Sequence, residues 1–438
     1  MVARKLNRLI AEHPSSSKMQ HYRPLLVILD RNMDLITPIA HSSTYQALID
    51  DLLTHSANRV EFKVESANKV QEKKYDLDAD TDPFYSRHKF APFPEAIESN
   101  GAELQSVTTR ENAIRSKTVG GHTVGGIDGV VVHEDNNAAS ELASAVDSLP
   151  KLLEQKKQLE IHTSILQAVM NEVASRDVPT FFELESALAT GQYKSDSSKA
   201  KNEVLELVID PLKGNVEDKI RLVIVFCLAT TAPGSDVTEV ASKMAEALGQ
   251  MGSPDAGDGS KPMTKEDHKK LEKGLKAIEY LKNLRSLQMI PNISEAEKVY
   301  SGSSNANTDM LTSFMTRASN QATGLLAKAT ERVSTMFSKM HKHRATRIVE
   351  NLCEMKPNSE DDEYLYLDPK VKGDVDMKAL RNMTRAPVRE AITFVIGGGC
   401  YAEYQNLQMI ANERRDVTYG STELLRPCEF LQQLGKLS

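Results

Sequence analysis

The chain has 438 residues, of which 54 are basic and 61 acidic, for a net charge of −7. A mildly acidic chain disfavours nucleic acid as the main partner, because phosphate binding needs a basic face. Trp is absent and aromatic residues make up 5% of the chain, so we expect aliphatic cores without stacking platforms for bases or sugars. The four cysteines lack CxxC spacing, which predicts reduced, buried thiols and disfavours a zinc ribbon.

The sequence contains no candidate membrane span or signal peptide. Its longest apolar run, residues 222–229, has eight residues, whereas a helix that crosses a bilayer needs about 20. The charged stretch at 1–13 lacks the apolar core of a signal peptide. We therefore expect a soluble protein that faces the cytosol.

The first predicted elements are a short helix and a buried strand. Apolar residues recur at helical spacing over 1–13. The apolar run 25–29, which ends at Asp30, is typical of a strand buried on both faces of a parallel sheet. A helix over 43–53 and a strand over 59–65 follow.

The middle of the chain has a mostly helical pattern. The signal is weak from 66 to 148, and polar interruptions divide the pattern from 237 to 347. Thr264, with Asp267 three positions later, marks the start of a helix that Pro291 ends. The earlier helices are predicted over 149–175, 180–189 and 217–230.

Strand and helix patterns alternate again near the end of the chain. The predicted elements are a helix at 345–355, a strand and turn at 391–399, a helix at 401–413, a strand at 416–420 and a helix at 427–435. Because strand–helix patterning occurs at both ends with helices between them, we predict one parallel-sheet domain interrupted by a helical domain.

Two motifs resemble binding loops but do not match them. The segment 30–34, DRNMD, opens like an EF-hand, yet the positions that need Gly and Glu hold Leu35 and His41. Asp30 and Asp34 are better explained as caps of a turn. The glycines at 397–399 follow a strand, as in a dinucleotide fold, but the third fingerprint glycine is absent and Glu403 would repel phosphate. Tight helix–strand packing explains them better, and a nucleotide-binding α/β enzyme is the alternative function.

Weaker candidates have plain structural explanations. The Gly-rich stretch 120–129 has no lysine and is predicted to be a flexible loop. His341 and His343 form an HxH pair, but Lys342 and Arg344 would repel a cation, so a solvated basic end is favoured. No G-x-S-x-G or HExxH motif occurs, and we predict that the protein is not an enzyme.

The segment 310–347 combines an apolar, Met-rich helical face with a net charge of +6. Three interpretations remain open: a helix on the protein's own core, a surface for partner helices, or a helix in a membrane interface. Its Thr and Ser content makes the helix marginal alone. The candidate residues for contact with a partner helix or a membrane are Leu311, Phe314, Met315, Leu325, Met336, Phe337, Met340, Arg317, Lys328, Arg332 and Lys339.

Four segments together resemble the Sec-one/Munc-eighteen (SM) family, the cytosolic chaperones of SNARE assembly, and are closest to its Sly-one branch. They are RPLLVILDRNMDLITPIAHSSTYQALIDDLL (23–53), EDKIRLVIVFCLA (217–229), TRIVENLCEMKPNSEDDEYLYLDPK (346–370) and ITFVIGGGCYAEYQNL with VTYGSTELLRPCEFLQQL (392–434).

The resemblance implies an arch with an α/β domain and a two-lobed, mostly α domain. Its domains would be a helix and linker (1–21), a discontinuous α/β domain (22–67 and 344–438), a helical lobe (68–205) and a second lobe (206–343). The second lobe would hold a hairpin at about 264–347 with Leu275, Ile278 and Leu281. The resemblance starts beyond the family's first domain, which often carries a pocket for a syntaxin N-terminal peptide, so the α/β domain would be incomplete and its sheet uncovered.

The resemblance also implies the function. The protein would regulate SNARE assembly in vesicle docking and fusion, in traffic between the endoplasmic reticulum and the Golgi. It would need no catalytic residue, metal or cofactor, because ordering two helices in advance lowers the entropic cost of joining them. Its partners would be Qa-SNARE and R-SNARE helices, without nucleic acid or a small-molecule substrate. It would be cytoplasmic and peripheral on Golgi, endoplasmic reticulum or vesicle membranes.

Overall fold

The computed structural model describes residues 2–12, 24–66, 69–120, 136–250, 262–290, 300–301, 333, 339–355, 364–368 and 388–437. In chain order the elements are α1 (Val2–Glu12), β1 (Leu25–Asp30), α2 (Tyr45–Leu52), β2 (Thr54–Ser56), β3 (Arg59–Ser66), β4 (Lys69–Asp76), α3 (Pro83–His88), α4 (Phe93–Gly120), α5 (Asn136–Arg176), α6 (Val178–Ala189), α7 (Ser197–Ile209), α8 (Val216–Ala229), α9 (Gly234–Gln250), α10 (Lys265–Ser286), β5 (Tyr300–Ser301), β6 (Lys339–Met340), α11 (Arg344–Glu354), β7 (Glu390–Ile396), α12 (Tyr401–Gln408), β8 (Asp416–Ser421) and α13 (Pro427–Leu434).

The chain divides into two compact units. The first comprises Met1–Ser42, Thr180–Tyr300 and Met340–Ser438, and the second comprises Ser43–Pro179 and Ser301–Lys339. The domain boundaries that the resemblance implies remain a prediction, since they rest on the family and not on these units.

The first unit contains the parallel sheet that the sequence predicts from the two ends of the chain. Its strand order is β1-β7-β8, and β7 pairs in parallel with both neighbours. α11 and α12 contribute to the core on one face, where Val27, Leu29 and Val395 are buried.

The opposite face of this sheet differs from the prediction. Leu26 is 40% exposed and Phe394 is 36% exposed, so burial alternates along β1 and the strand is not buried on both faces. An apolar run therefore marked the strand correctly but overstated its burial, because periodicity cannot show whether a second layer is present.

The helical part of the first unit surrounds α8. Twelve of the 14 residues of α8 are buried, and α7, α9 and α10 all contact it. Burial of each large aliphatic side chain contributes about 1.5–3 kcal/mol. This is the helix with the most apolar sequence, and its all-round burial is what such a pattern indicates.

The second unit contains a separate antiparallel sheet, β2-β3-β4, beside α4 and α5, which contact each other. The resemblance assigns 22–67 to the parallel-sheet domain and 68–205 to a helical lobe, whereas β3 pairs with β4 here. β4 has the polar sequence KVQEKKYD, with its Val70 62% exposed. A strand that is polar on both faces gives no alternating signal.

Candidate functional site

α10 is the longest described element of the predicted hairpin, and its capping residues are those that the sequence predicts. The Thr264 hydroxyl accepts from the Asp267 amide at 3.1 Å, and the Asp267 carboxylate accepts from the Thr264 amide at 3.0 Å. This capping box satisfies two amides that the first turn leaves without partners. Burial opposes the charged form, yet the bonds to Thr264 lower the pKa of Asp267.

The inner face of α10 packs closely on α8. Gly274 lies against Ile220, whose side chain would collide with an added β-carbon. The predicted hairpin residues Ile278 and Leu281 are buried, and Leu275 packs on the same core. Their side chains therefore hold α10 in place, and any contact with a partner would have to come from other residues.

Arg285 fixes the other end of α10. Its guanidinium donates to the carbonyl oxygens of Cys227, Thr230 and Ala232. These carbonyls belong to the last turn of α8 and the residues after it, where free acceptors and the helix dipole both favour a cation. Together with the packing of Gly274, Ile278 and Leu281 on the core around α8, these bonds fix the rotation of α10 about its axis.

The outer side of α10 is basic and ends in exposed apolar residues. The helix has seven basic and four acidic residues. Lys265 and Lys269 are exposed, and after the helix Leu287 is 67% and Met289 63% exposed. We call Lys265, Lys269, Leu287 and Met289 the α10 surface. The exposed cations lie at the start of α10 and the exposed apolar side chains lie after its end, about 27 Å away, so a partner helix would meet them at two separate places along its length.

The structure describes the backbone of two of the eleven predicted contact residues, Lys339 and Met340. They form β6, which pairs with β5 (Tyr300–Ser301). The chain at residue 301 and the chain at residue 339 are therefore adjacent. Val333, within the amphipathic segment, is buried. The predicted residues that lie outside the described part of the chain are Leu311, Phe314, Met315, Arg317, Leu325, Lys328, Arg332, Met336 and Phe337.

The glycine turn at 397–399 has no amide left for a phosphate. The amides of Gly397 and Gly398 donate to the Thr422 hydroxyl at 3.2 and 3.1 Å, and that of Gly399 donates to the Glu423 carbonyl at 2.8 Å. A phosphate loop depends on free amides at a helix N-terminus. The turn is therefore structural, as tight packing predicted.

An ion pair fills the space beside this turn. Arg31, in the turn after β1, donates to both carboxylate oxygens of Glu403 at 2.9 and 2.6 Å. The Tyr419 hydroxyl donates to the same carboxylate at 2.7 Å. Burial opposes the charge on Arg31, but Glu403 outweighs it and raises the pKa of Arg31. A phosphate bound at this turn would need a positive charge at the position that the Glu403 carboxylate occupies, so the site disfavours phosphate.

The carboxylates of the EF-hand-like segment cap turns, as the sequence predicts. Asp30 accepts from the Asn32 amide at 2.9 Å, and Asp34 accepts from the amides of Ile36 and Thr37 at 3.0 Å. All these acceptors are used within the turn. Within the described ranges no group of three His, Cys, Asp or Glu side chains could hold a metal ion.

His41, which sequence reasoning missed, joins three elements of the first unit. Its Nδ1 lies 3.0 Å from Glu185 in α6, and its Nε2 lies 3.1 Å from Asp218 in α8. Burial and the nearby Arg221 oppose protonation, but the two carboxylates outweigh them and raise the pKa of His41. His41 thus connects the segment that follows β1 to α6 and α8. No local pattern marks this pair, because His41 and Glu185 are 144 residues apart.

His341 and His343 do not form the solvated basic end that the sequence favours. Both are half-buried, and their rings meet at 4.9 Å between centroids. Burial lowers the pKa of His341 to about 3 and that of His343 to about 4. The pair is therefore neutral near pH 7.

The second unit has a buried hydrogen-bonded chain of its own. The Tyr45 hydroxyl lies 2.8 Å from His162 Nδ1, and His162 Nε2 lies 2.8 Å from Asp82. Such a chain resembles a catalytic relay, but Tyr45 and His162 are fully buried. A substrate cannot reach them, so the chain ties α2 to α5.

Comparisons with known proteins agree on one family. A model of the Sec1 family matches residues 1–433. Protein sly1 homolog from Drosophila melanogaster is 32% identical over 466 residues, which cover all of this chain and 66% of the fly protein. The chain spans 60–66% of the length of its curated animal relatives.

Two solved structures share the fold. Sly1p in complex with an N-terminal peptide of Sed5p has a TM-score of 0.65 and 24% identity, covering 100% of this chain and 61% of Sly1p. The SM protein Vps45 in complex with the Qa SNARE Tlg2 has a TM-score of 0.54 and 16% identity, covering 99% of this chain and 63% of Vps45. At these identities the likeness shows the fold.

Proposed function

The chain belongs to the Sec1 family, and from that premise we propose that it regulates the assembly of SNARE complexes during vesicle docking and fusion. The match over residues 1–433 carries the proposal. It is supported by two relatives in fold, of which one is bound to a Sed5p peptide and the other to the Qa SNARE Tlg2. The sly1 homologues among its curated relatives favour traffic between the endoplasmic reticulum and the Golgi.

The proposed mechanism is positioning, without catalysis. α10 is held in place, because its inner face packs on the core around α8 and Arg285 ties its end to the carbonyls that end α8. A rigid helix that binds Qa-SNARE and R-SNARE helices side by side would order them before they associate. This would lower the entropic cost of their association. The α10 surface supplies exposed apolar and basic side chains for such contacts.

Contact with membranes belongs to the same proposal. Among the described helices, none is long and apolar enough to cross a bilayer. We propose peripheral attachment to endoplasmic reticulum, Golgi or vesicle membranes, with the basic amphipathic segment at 310–347 as the contact. Each Lys or Arg near an anionic leaflet contributes about 1 kcal/mol.

The test measures SNARE assembly with the full chain. Cytosolic parts of the Qa- and R-SNAREs of endoplasmic reticulum–Golgi traffic from the same organism are mixed with labelled partners, and the assembly rate is followed by fluorescence transfer. We expect the chain to accelerate assembly and the double variant Leu287→Asp, Met289→Asp to lose most of the acceleration, because charge replaces apolar contact.

Leu212→Asp is the matched control. Leu212 is 67% exposed, the same fraction as Leu287, but lies in the turn before α8. An equal loss in this control would remove the assignment of the α10 surface while leaving the function. No acceleration by the unaltered chain would contradict the proposed function itself.

A further inference from the structure

β8 is the outer strand of the parallel sheet, and one of its edges has no neighbouring strand among the described residues. The Asp416 amide donates to the Arg389 carbonyl at 2.8 Å, and the Thr422 amide donates to the Val395 carbonyl at 3.1 Å. Because backbone groups alternate in direction along a parallel strand, every second residue of β8 faces β7 and the others face outward. We call the outward-facing residues the β8 edge, and they are Val417, Tyr419 and Ser421.

Most backbone groups of the β8 edge are left for a ligand. The Val417 carbonyl accepts from the Gln408 side chain at 3.2 Å. The outward amides and carbonyls of Tyr419 and Ser421 have no strand to pair with in the part of the chain that the structure describes. A row of such groups is a template for an added strand.

A cavity of about 390 Å³ lies along the β8 edge. Its walls are residues 417–421 of β8, Tyr401 and Tyr404 of α12, and Leu424. The rings of Tyr404 and Tyr419 stack with their centroids 6.0 Å apart, and Leu424 is 51% exposed. Because one wall is a strand edge and the others are aromatic and aliphatic, this cavity suits an apolar side chain of an extended peptide.

One end of the cavity is acidic. Glu423, one residue before Leu424, is exposed. Its carboxylate accepts from the Gln433 side chain at 3.1 Å, and no cation among the described residues pairs with it. At the other end Glu413 and Arg414 are both exposed, and their charges offset each other. The charges therefore favour a ligand with a cation beside Glu423.

We propose that the β8 edge and this cavity bind an extended segment of a partner protein by strand addition. The segment would run antiparallel to β8, since antiparallel pairing is slightly more stable per residue. The residue paired with Tyr419 would share its face of the sheet, on the side of α12, and would place an apolar side chain in the cavity. A Lys or Arg about four residues earlier in the segment would then lie opposite Glu423.

This site goes beyond the proposed regulation of SNARE assembly. A strand edge pairs with extended backbone, whereas a helix bonds its amides and carbonyls internally, so SNARE helices cannot bind here in this way. The β8 edge and its cavity share no residue with the α10 surface. Variants of the two surfaces therefore test the two proposals separately.

The first test uses a peptide whose backbone can be modified. The probe is fluorescein-labelled Lys-Thr-Val-Thr-Leu-Thr-Val-amide, in which Leu is to pair with Tyr419, and its binding to the full chain is followed by fluorescence anisotropy. N-methylation of Leu removes the N–H that would donate to the Tyr419 carbonyl, so we expect binding to weaken about tenfold. N-methylation of the next Thr, whose N–H would point away from β8, is the matched control and should change little. Equal affinities for the two methylated probes, or no binding of the parent probe at millimolar concentration, would overturn the proposal.

The second test changes the cavity. Leu424→Asp places a charge in its wall, and we expect the parent probe to bind about tenfold more weakly. Leu437→Asp is the matched control, because Leu437 is 62% exposed but does not line the cavity. Circular dichroism verifies that both variants are folded. If the two folded variants bind the probe equally well, the cavity is not the site and the proposal is wrong.

A charge exchange tests the orientation. Replacing the Lys of the probe by Glu should weaken binding to the unaltered chain about fivefold, and Glu423→Lys should reverse this preference. The same preference in both chains would contradict the antiparallel arrangement. A dimer of the chain that Leu424→Asp separates in sedimentation would mean that a second copy occupies the β8 edge, and this too would overturn the proposal.

Discussion

The two units bury polar groups with different chemistry. The first unit uses charges: Arg31 with Glu403, and His41 between Glu185 and Asp218. The second uses a chain of hydrogen bonds from Tyr45 through His162 to Asp82. A buried charge needs its counter-charge, whereas a hydroxyl can be lost for about the cost of one hydrogen bond. The Arg31–Glu403 pair should therefore be far more sensitive to a single polar substitution than the Tyr45 hydroxyl.

The largest effect is expected for Glu403→Gln. It leaves the buried Arg31 without a counter-charge, and breaking such a pair costs about 3–5 kcal/mol of unfolding free energy. Urea denaturation measures this loss. Asp76→Asn, at the exposed Arg59–Asp76 pair, is the control and should change little. Similar losses in both variants would remove the contrast between buried and exposed pairs.

A double variant sharpens the same comparison. Replacing a buried ion pair by apolar residues of similar volume is often neutral or stabilising. We expect Arg31→Met with Glu403→Leu to recover most of the stability that Glu403→Gln loses. Failure to recover would mean that the bond from Arg31 to the Gly398 carbonyl at 3.1 Å matters more than the charges.

Two histidines of the first unit should give opposite pH dependence. The folded pKa of His41 is raised, so its stabilising contribution is complete below its unfolded value of about 6.5 and is lost as the pH rises through the folded value. Burial lowers the pKa of His343 to about 4, so its contribution is present above pH 6.5 and is lost as the pH falls towards 4.

Unfolding free energies of the chain, His41→Asn and His343→Asn, measured from pH 4 to 9, separate the two contributions. We expect the difference between the chain and His41→Asn to shrink at high pH. The difference for His343→Asn should shrink at low pH, by roughly 3 kcal/mol. Parallel profiles for the two variants would contradict the assigned protonation states.

The smallest effect is expected in the second unit. Tyr45→Phe keeps the ring packing and removes one hydrogen bond to His162, at a cost of about 1 kcal/mol. Tyr75→Phe, in the same unit, is the control with no expected change. A loss as large as that of Glu403→Gln would show that the second unit is as sensitive as the first.

Local patterns predicted much of the fold. The apolar run of β1, the Thr264 capping box and the strand at β7 all arise from residues close in sequence, and each is confirmed. β4 was missed because both of its faces are polar. The exposure of Leu26 and Phe394 on one face of the parallel sheet was not predicted, because an apolar residue in a strand has the same pattern whether or not a layer covers it.

The polar networks could not be predicted. Arg31 and Glu403 are 372 residues apart, and nothing in either local sequence selects the other as its partner. The sequence marked Glu403 only as a carboxylate that would repel phosphate, and it gave no sign that Arg31 would be its partner. The family came from matching motifs, whereas the α10 surface needed burial values that a sequence does not contain.

The pairing of β1 with β7 has a consequence for biosynthesis. Leu25 and its partner Ala391 are separated by 366 residues, and ribosomes add about 5–20 residues per second. The strand LLVILD therefore leaves the ribosome roughly 20–70 s before its partner strand exists. During that interval the apolar strand has no partner within its own chain, so we expect the yield of this protein to rise when chaperones that bind apolar nascent segments are abundant.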